Sequence, residues 1–416
     1  MRCETTFSQR SAVYSAADVR RGRVALSDDQ ARVFERAVDW ECRRRSSLLT
    51  IGGLAGSGKS TVVAELARVW EYSFVAFCAY TGKAANVLRQ KIRAAGAESP
   101  WHTVGTIHSL IYEPVEDPET GVVVEWVRRQ ELGVELIVVD EASMVSTEVL
   151  RDLQSFGVSV LAVGDHGQLP PVGGEGVLVR DPDLKLEKIH RQAEGSAIIR
   201  LAHAVRVSGD LPHDLRDGGG VRVVSVPEAL RLLADLYARD EDVGVVTYTN
   251  RSRQRFNAMA REVKYGARAH ASALLEGDQV VCLRNTERVL FNGMRGVVEG
   301  VPRDATFWWR GRFYFPDDAL EVDGCALKSQ FGRERTYGSW EEVEGDNPGL
   351  RVRAWGDVGL LFDYGYAVTC HKAQSASYRH TFVLYEKLSR CTTDEWCRWI
   401  YTACTRASEQ LYIVVP

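Results

Sequence analysis

The stretch Gly53-Leu54-Ala55-Gly56-Ser57-Gly58-Lys59-Ser60-Thr61 constrains this chain more than any other. It satisfies the phosphate-cradling pattern G-x-x-x-x-G-K-[ST] with no substitution. The apolar run Leu48-Leu49-Thr50-Ile51 precedes it, and the helical pattern Val62-Val63-Ala64-Glu65-Leu66-Ala67 follows. Strand, glycine loop and helix in that order form a βα unit that turns backbone amides and a helix N-terminus toward phosphate. Gly56, Ser57, Gly58, Lys59, Ser60 and Thr61 are the expected nucleotide-binding residues. Lys59 is a point charge for the terminal phosphates, and the Ser60 hydroxyl is the expected Mg²⁺ ligand.

Further apolar runs alternate with helical patterns. Ser47–Ile51, Ser73–Ala79, Leu136–Val139 and Val158–Val163 read as strands, which implies a parallel sheet with helices on both faces. Tyr112 to Trp126 reads as two short β runs around Pro114–Gly121, a hairpin inserted at about 110–133. A second α/β stretch starts near Ile189, contains the strand Val243–Thr247, resumes near Leu360 and ends on Gln410–Val415. Between them, residues 266–355 read as β, with Asp278–Leu283 and Gly296–Val301 flanking a turn at Asn292-Gly293. The aromatic cluster Phe307–Phe315 reads as core or as a base-stacking surface. Residues 1–25 read as a polar tail or peripheral helix. The fold class is therefore α/β, in two domains that each carry a β insertion, as 416 residues suggest.

Composition narrows the partners. The net charge is −4, so any nucleic acid must be held in a local groove rather than by the whole-molecule field. The nine cysteines include no C-x-x-C pair, which suits free thiols in a reducing cytoplasm. No run approaches membrane-spanning length and no secretory h-region is present, so no membrane partner is expected.

Val138-Val139-Asp140-Glu141 is an apolar strand ending in paired acids. After a phosphate loop, Asp140 is the expected second holder of Mg²⁺ and Glu141 the general base for the attacking water. The next strand runs into Gly164-Asp165-His166-Gly167-Gln168-Leu169-Pro170-Pro171. Gln168 there is either a γ-phosphate reporter or a turn residue bonding its own loop.

These segments, in this order, resemble superfamily 1B DNA helicases of the RecD/Dda-like branch. Leu26–Gln30 is similar to the family's Q motif, Tyr80–Asn86 to motif Ia and Thr103–Leu110 to motif Ib. Asp140–Ser143 is similar to motif II, Gly164–Pro171 to motif III and Ile189–Gln192 to motif IV. Tyr366–Gln374 is similar to motif V and Tyr401–Ala407 to motif VI. The resemblance runs from about residue 26 to 411. It implies two RecA-like P-loop domains: 26–189 carrying the hairpin, and 190–265 with 356–416 carrying an SH3-like domain at 266–355. It implies ATP and Mg²⁺ as cofactors, Gln30 on the adenine, and Arg191 and Arg406 as arginine fingers beside catalytic Lys59, Glu141 and Gln168. It places Thr81, Lys83, Thr106, His108, Thr249, Asn250, Thr369 and His371 at DNA-contact positions, where hydroxyls, amides and a lysine grip phosphate without reading bases. Buried, hydrogen-bonded structural histidines are the alternative reading of His108 and His371, and a helix N-cap explains Thr249 and Asn250 equally well.

The implied activity is ATP-driven 5′→3′ movement on single-stranded DNA with duplex unwinding, the hairpin serving as the splitting pin. The expected partners are single-stranded and forked DNA, with single-strand-binding or replication and recombination proteins, in a prokaryotic or phage-infected cytoplasm and with a monomer as the simplest assembly. A translocase that remodels protein–DNA complexes with little unwinding is a second reading. A P-loop kinase or regulatory ATPase indifferent to DNA is a third. Two positions depart from the family: motif V continues as Gln374-Ser375-Ala376-Ser377, with serines where a glycine and an acid are usual, and Tyr80 replaces a common proline.

Overall fold

The computed structural model describes residues 26–43, 46–71, 73–116, 123–171, 181–188, 195–212, 218–271, 274–286, 290, 292–316, 320–374, 376–388 and 391–415. The tail at 1–25, the hairpin turn at 117–122 and the segment 189–194, which contains Arg191, lie outside them. The chain folds as two compact units, Met1–Tyr80 with Ala84–Glu194, and Thr81–Lys83 with Gly195–Pro416.

In the first unit, helix α1 (Asp28–Arg43) leads into β1 (Leu48–Gly53), α2 (Lys59–Val69), β2 (Val75–Ala79), α3 (Gly82–Ala94), β3 (His102–Thr106) and α4 (Ile107–Ile111). The hairpin β4 (Tyr112–Glu116) and β5 (Val123–Arg128) follows. Then come β6 (Leu136–Asp140), α5 (Thr147–Gln154), β7 (Ser159–Gly164) and β8 (Leu184–Leu186). The main sheet has the order β3-β2-β6-β7-β1-β8, and every pairing in it is parallel. Its central strands are buried on both faces, as continuous apolar runs require. Val75, Phe77, Leu136, Val138, Leu161 and Val163 pack under α1 and α2, while Ala76, Cys78, Ile137, Val139, Val160 and Ala162 pack against Ile107, Ile111 and Leu153. The hairpin pairs separately, antiparallel, from Tyr112↔Arg128 to Glu116↔Val123.

Two strands of this sheet were not expected. His102–Thr106 is half polar, so it lacks the apolar run that marks the others. Leu184–Leu186 is three residues long and is held to β1 by a side chain: the Asp183 carboxylate accepts from the Thr50 amide at 2.9 Å and its hydroxyl at 2.7 Å. The strands at the ends of the expected runs extend to Gly53, Asp140 and Gly164, so each polar residue that matters sits at a carboxyl end.

The second unit contains α6 (Ala197–Ser208), β9 (Val221–Ser225), α7 (Val226–Ala238), β10 (Val243–Thr247) and α8 (Asn250–Tyr265). It continues through β11 (Gln279–Cys282), β12 (Arg295–Asp304), β13 (Trp308–Phe315), β14 (Leu320–Leu327) and β15 (Phe362–Tyr364). It closes with β16 (Ala367–Thr369), α9 (Cys370–Ala373), β17 (Tyr378–Leu384), α10 (Thr393–Cys404) and β18 (Ala407–Val415). A parallel sheet has the order β16-β10-β17-β18-β9. A second, antiparallel sheet has the order β14-β13-β12-β11-β15. Its last strand lies beyond residue 355, where sequence reading ended the insertion; a three-residue strand is too short to leave a period-2 signature. Trp309, Phe313 and Phe315 pack with Phe362 and Val280 inside this sheet's core, so the aromatic cluster is chiefly core rather than a stacking surface.

Candidate nucleotide site and nucleic-acid positions

In the first unit, β1, β6 and β7 run parallel, so the glycine loop, Asp140 and Asp165 all leave the same edge of the sheet. That edge, at the carboxyl ends of the strands, is where open α/β sheets bind ligands. Gly56 and Gly58 have φ of 83° and 80°, in the left-handed region where glycine carries no Cβ penalty. A Cβ on Gly53 would come 2.4 Å from Ser57 Oγ and 3.2 Å from Lys59 Cγ, so the loop closes only around glycine. The Ser57 hydroxyl is buried with no hydrogen-bond partner among the described residues. An orphaned polar atom in a loop that a Cβ would fill is what a phosphate cradle leaves behind.

Lys59 opens α2 and donates to the Gly53 carbonyl at 2.7 Å and the Leu54 carbonyl at 3.2 Å. Its Nζ lies 4.0 Å from an Asp165 carboxylate oxygen. Asp165 is 1% exposed; it accepts from the Gly167 amide at 2.9 Å, and its second oxygen from Gln168 Nε2 at 3.4 Å. Gln168 Nε2 thus bonds its own loop. Asp165 was not singled out from sequence. The signal was there: it follows an apolar strand one residue after its end, much as Asp140 ends β6.

Asp140 accepts from the Glu141 amide at 3.0 Å. Glu141 has φ 53°, rare for a residue with a Cβ, and its carbonyl accepts from the Met144 amide at 3.2 Å. Left-handed backbone costs a non-glycine residue about 1–2 kcal/mol. The five buried residues of β6 hold it there, and such strain concentrates at functional sites. The buried Ser143 hydroxyl nearby in sequence also has no partner among the described residues.

Two expected nucleotide contacts are differently engaged. Gln30 is 3% exposed; its Oε1 accepts from the Ser27 amide at 3.0 Å and its Nε2 donates to the Gly58 carbonyl at 3.4 Å. It caps its own helix and touches the phosphate loop instead of projecting outward. Ser60 Oγ accepts from Lys91 Nζ at 2.8 Å, a lysine that sequence reading passed over because nothing local marks it. Thr61 enters α2 through its amide, bonded to the Gly58 carbonyl at 3.0 Å.

In the second unit, Arg406 is 6% exposed. It donates to the carbonyls of Thr402 at 2.9 Å and Ala376 at 3.3 Å and to Thr405 Oγ1 at 3.0 Å. All three acceptors are neutral, so no carboxylate among the described residues pairs with the buried guanidinium. An arginine finger was expected to be presented to ligand; here the side chain is folded back on its own helix end. Arg191 lies outside the described residues.

The DNA candidates divide by what their polar atoms do. Thr106 is buried and its hydroxyl caps α4, accepting from the Ser109 amide at 3.0 Å. Thr249 caps α8 through the Ser252 amide at 3.0 Å, and Asn250 Oδ1 accepts from Arg253 Nε at 3.1 Å. Thr106 and Thr249 are thus helix caps, while Asn250 holds a side chain of its own helix. His108 is exposed, its ring 4.5 Å from that of Tyr112, so the buried-histidine reading does not hold there. Thr369 precedes α9 without a side-chain cap bond, and His371 is half-buried, which holds its imidazole below the ordinary range. Thr81 is half-buried, and of Lys83 only its backbone place in α3 is described. Ser375 lies outside the described residues and Ser377 is exposed.

Comparison with known proteins is consistent with both halves. A model of the AAA domain matches residues 25–225 and a model of the UvrD-like helicase C-terminal domain matches 364–414. The chain is 27% identical to the ATP-dependent RecD2 DNA helicase of Deinococcus radiodurans, over 94% of this chain and 49% of that protein. It is 30% identical to the RecBCD enzyme subunit RecD of Mycobacterium tuberculosis, over 54% of this chain and 47% of that one. The chain thus spans about half the length of these relatives. In fold it is similar to Pif1 helicase from Bacteroides solved with ADP-AlF3 and ssDNA, with a TM-score of 0.50 at 18% identity, covering 94% of this chain and 92% of that one. A Pif1 structure addressing DNA unwinding at forked dsDNA gives a TM-score of 0.51 with the same coverage. Among the described residues no helix is long and apolar enough to cross a membrane.

Proposed function

We propose that this chain is a superfamily 1B helicase of the RecD-like branch, an ATP-driven motor moving 5′→3′ on single-stranded DNA and opening duplex ahead of it; the matches to the AAA and UvrD-like helicase C-terminal models and to RecD2 support the reading. The observation that carries this reading is the phosphate cradle: two left-handed glycines, a Ser57 hydroxyl with no partner, and Lys59 held at the mouth by two carbonyls and a buried carboxylate. A nucleoside triphosphate offers each of these groups a better partner than it has now.

The residues fit Mg²⁺ as well. Ser60 and Asp140 supply the hard oxygen donors that Mg²⁺ prefers, and Ser60 must first give up Lys91. When bound, Mg²⁺ neutralises charge on the β- and γ-phosphates. Lys59 exchanges the Gly53 and Leu54 carbonyls for phosphate oxygens. Glu141, aimed by its left-handed backbone, takes the proton of the attacking water. Gln168 leaves Asp165 to bond phosphate or water. Arg406 brings a charge that no described carboxylate neutralises, and a phosphoryl transition state would compensate it; Arg191 is assigned the same task. Thr81, Lys83, His108, Thr369 and His371 are the DNA contacts of this reading. The family relatives, a RecBCD subunit among them, support a role in DNA replication or recombination.

The test is ATP hydrolysis measured with and without single-stranded DNA, beside unwinding of 5′- and 3′-tailed duplexes. Hydrolysis stimulated by single strands, with unwinding of the 5′-tailed duplex alone, is the expected result. Turnover indifferent to DNA would replace the motor with a regulatory ATPase, and unwinding of the 3′-tailed duplex alone would reverse the polarity.

A further inference from the structure

Helix α8 presents three buried polar side chains at i, i+4 and i+8. Arg253, Asn257 and Arg261 are each 6% exposed or less. Spacing of four puts all three on one helix face, a face that is ordinarily apolar when buried. Beside local bonds from Arg253 to Asn250 Oδ1 and from Arg261 to the Ala269 carbonyl, all three reach the antiparallel sheet, its flanking loops or the short link between the two sheets.

Arg253 binds the Asp363 carboxylate in β15 and donates to the Arg333 carbonyl at 3.0 Å. Asn257 donates to the Tyr364 carbonyl at 3.0 Å and accepts from the Ala367 amide at 2.7 Å, so one amide group spans the last residue of β15 and the first of β16. Arg261 grips Asp278 with two parallel bonds of 2.9 Å, Nε to Oδ1 and Nη2 to Oδ2. Asp278 also accepts from Tyr366 Oη at 2.7 Å and from the Leu275 amide at 2.7 Å, which fills the carboxylate. Asp363 likewise accepts from the amides of Gly332 and Tyr364, each at 2.8 Å. The inserted sheet is therefore held where the chain enters it, at Asp278, and where the chain leaves it, at Asp363.

Buried ion pairs of this kind add little stability over apolar residues of the same size; their attested use is to specify one arrangement. The arrangement specified here concerns β16. Only two residues separate Tyr364 from Ala367, and β16 ends at Thr369, two positions before His371. We propose that Arg253, Asn257 and Arg261 are positioning residues that fix the antiparallel sheet to the segment 367–371, so that the candidate DNA residues Thr369 and His371 move with that sheet as one body. The inference rests on the motor reading above, since it concerns how hydrolysis is converted into strand separation.

The test compares the wild type with Arg261→Met/Asp278→Leu, which replaces a buried pair by apolar side chains, and with Asn257→Leu, which cuts the clip alone. The expected result is single-strand-stimulated ATPase within about twofold of wild type, with unwinding of the tailed duplex reduced at least about tenfold in both variants. Hydrogen exchange of the segment 362–371 should rise in both, while that of β12 to β14 stays unchanged. Equal losses of ATPase and unwinding, or no loss of either, would overturn the proposal. Arg261→Lys, which keeps the charge and loses the fork, should recover unwinding in part; no recovery together with unchanged exchange would also overturn it. A wild type that lacks DNA-stimulated ATPase would instead refute the motor reading, and the exchange measurement would still decide whether the stripe holds the segment.

Discussion

Replacing Lys59 by Met removes more than a catalytic charge. In the structure Lys59 donates to two carbonyls of its own loop and stands 4.0 Å from Asp165, whose carboxylate is 1% exposed. Two unit charges at 4 Å attract by about 1 kcal/mol in water and about 4 kcal/mol at an effective dielectric of 20. Lys59 retains 14% of its side-chain exposure, so about 2 kcal/mol is the fitting value for this pair. The two carbonyl bonds contribute about 1 kcal/mol net each, and water recovers part of that when the loop opens. Lys59→Met should therefore destabilise the protein by about 3 kcal/mol, a large share of a typical folding free energy of about 5–15 kcal/mol. The assay is urea unfolding at pH 7 for wild type, Lys59→Met, Asp165→Asn and the double variant. The cycle should return a coupling of about 2 kcal/mol, with the double variant more stable than the two single losses predict. A Lys59→Met protein within about 0.5 kcal/mol of wild type, or a coupling that small, would refute the reasoning.

Glu141→Gly should separate stability from activity: relief of the left-handed backbone, less the extra chain entropy of glycine, stabilises by about 0.5–1 kcal/mol, while hydrolysis falls at least about 100-fold. A destabilised or fully active variant would contradict both the strain and the general-base assignment. Lys372, in the segment after β16, is held down to about 8 by burial first and by neighbouring Arg253 second. Its folded-state value lies below the unfolded one, so the unfolded chain binds more protons between about pH 8 and 10.4 and stability rises with pH there. Lys372→Met should accordingly stabilise by about 2–3 kcal/mol at pH 7, with the gain gone by about pH 10.5, as pH-dependent urea unfolding would show; a gain that persists at high pH would show that charge burial is not its source.

The strands that carry the phosphate chemistry were legible because they are buried on both faces and read as unbroken apolar runs: Val75–Ala79 and Leu136–Asp140 have no exposed residue. The hairpin at Tyr112–Arg128 was legible from its turn residues. What escaped were contacts made across long sequence separations. Lys91 reaches Ser60 over 31 positions, Asp183 reaches Thr50 over 133, and Asp363 meets Arg253 over 110. No local pattern announces such a partner. The same is true of Arg406, whose motif is legible but whose enclosure by the Ala376 and Thr402 carbonyls depends on the packing of α10.

The strand order of the second parallel sheet bears on how the chain is made. β9 and β10 are synthesised first yet never touch; β17 and β18 lie between them, and β16 covers the far side of β10. Every strand that pairs with these two comes from residues 367–415. At about 5–20 residues per second, the whole inserted sheet is translated while both strands wait with open edges, a delay on the order of 6–25 s. Two apolar, unpaired edges on a nascent chain invite association with other chains. The vulnerable moment of this protein is thus set by its topology and falls on the ribosome, before either sheet of the second unit is complete.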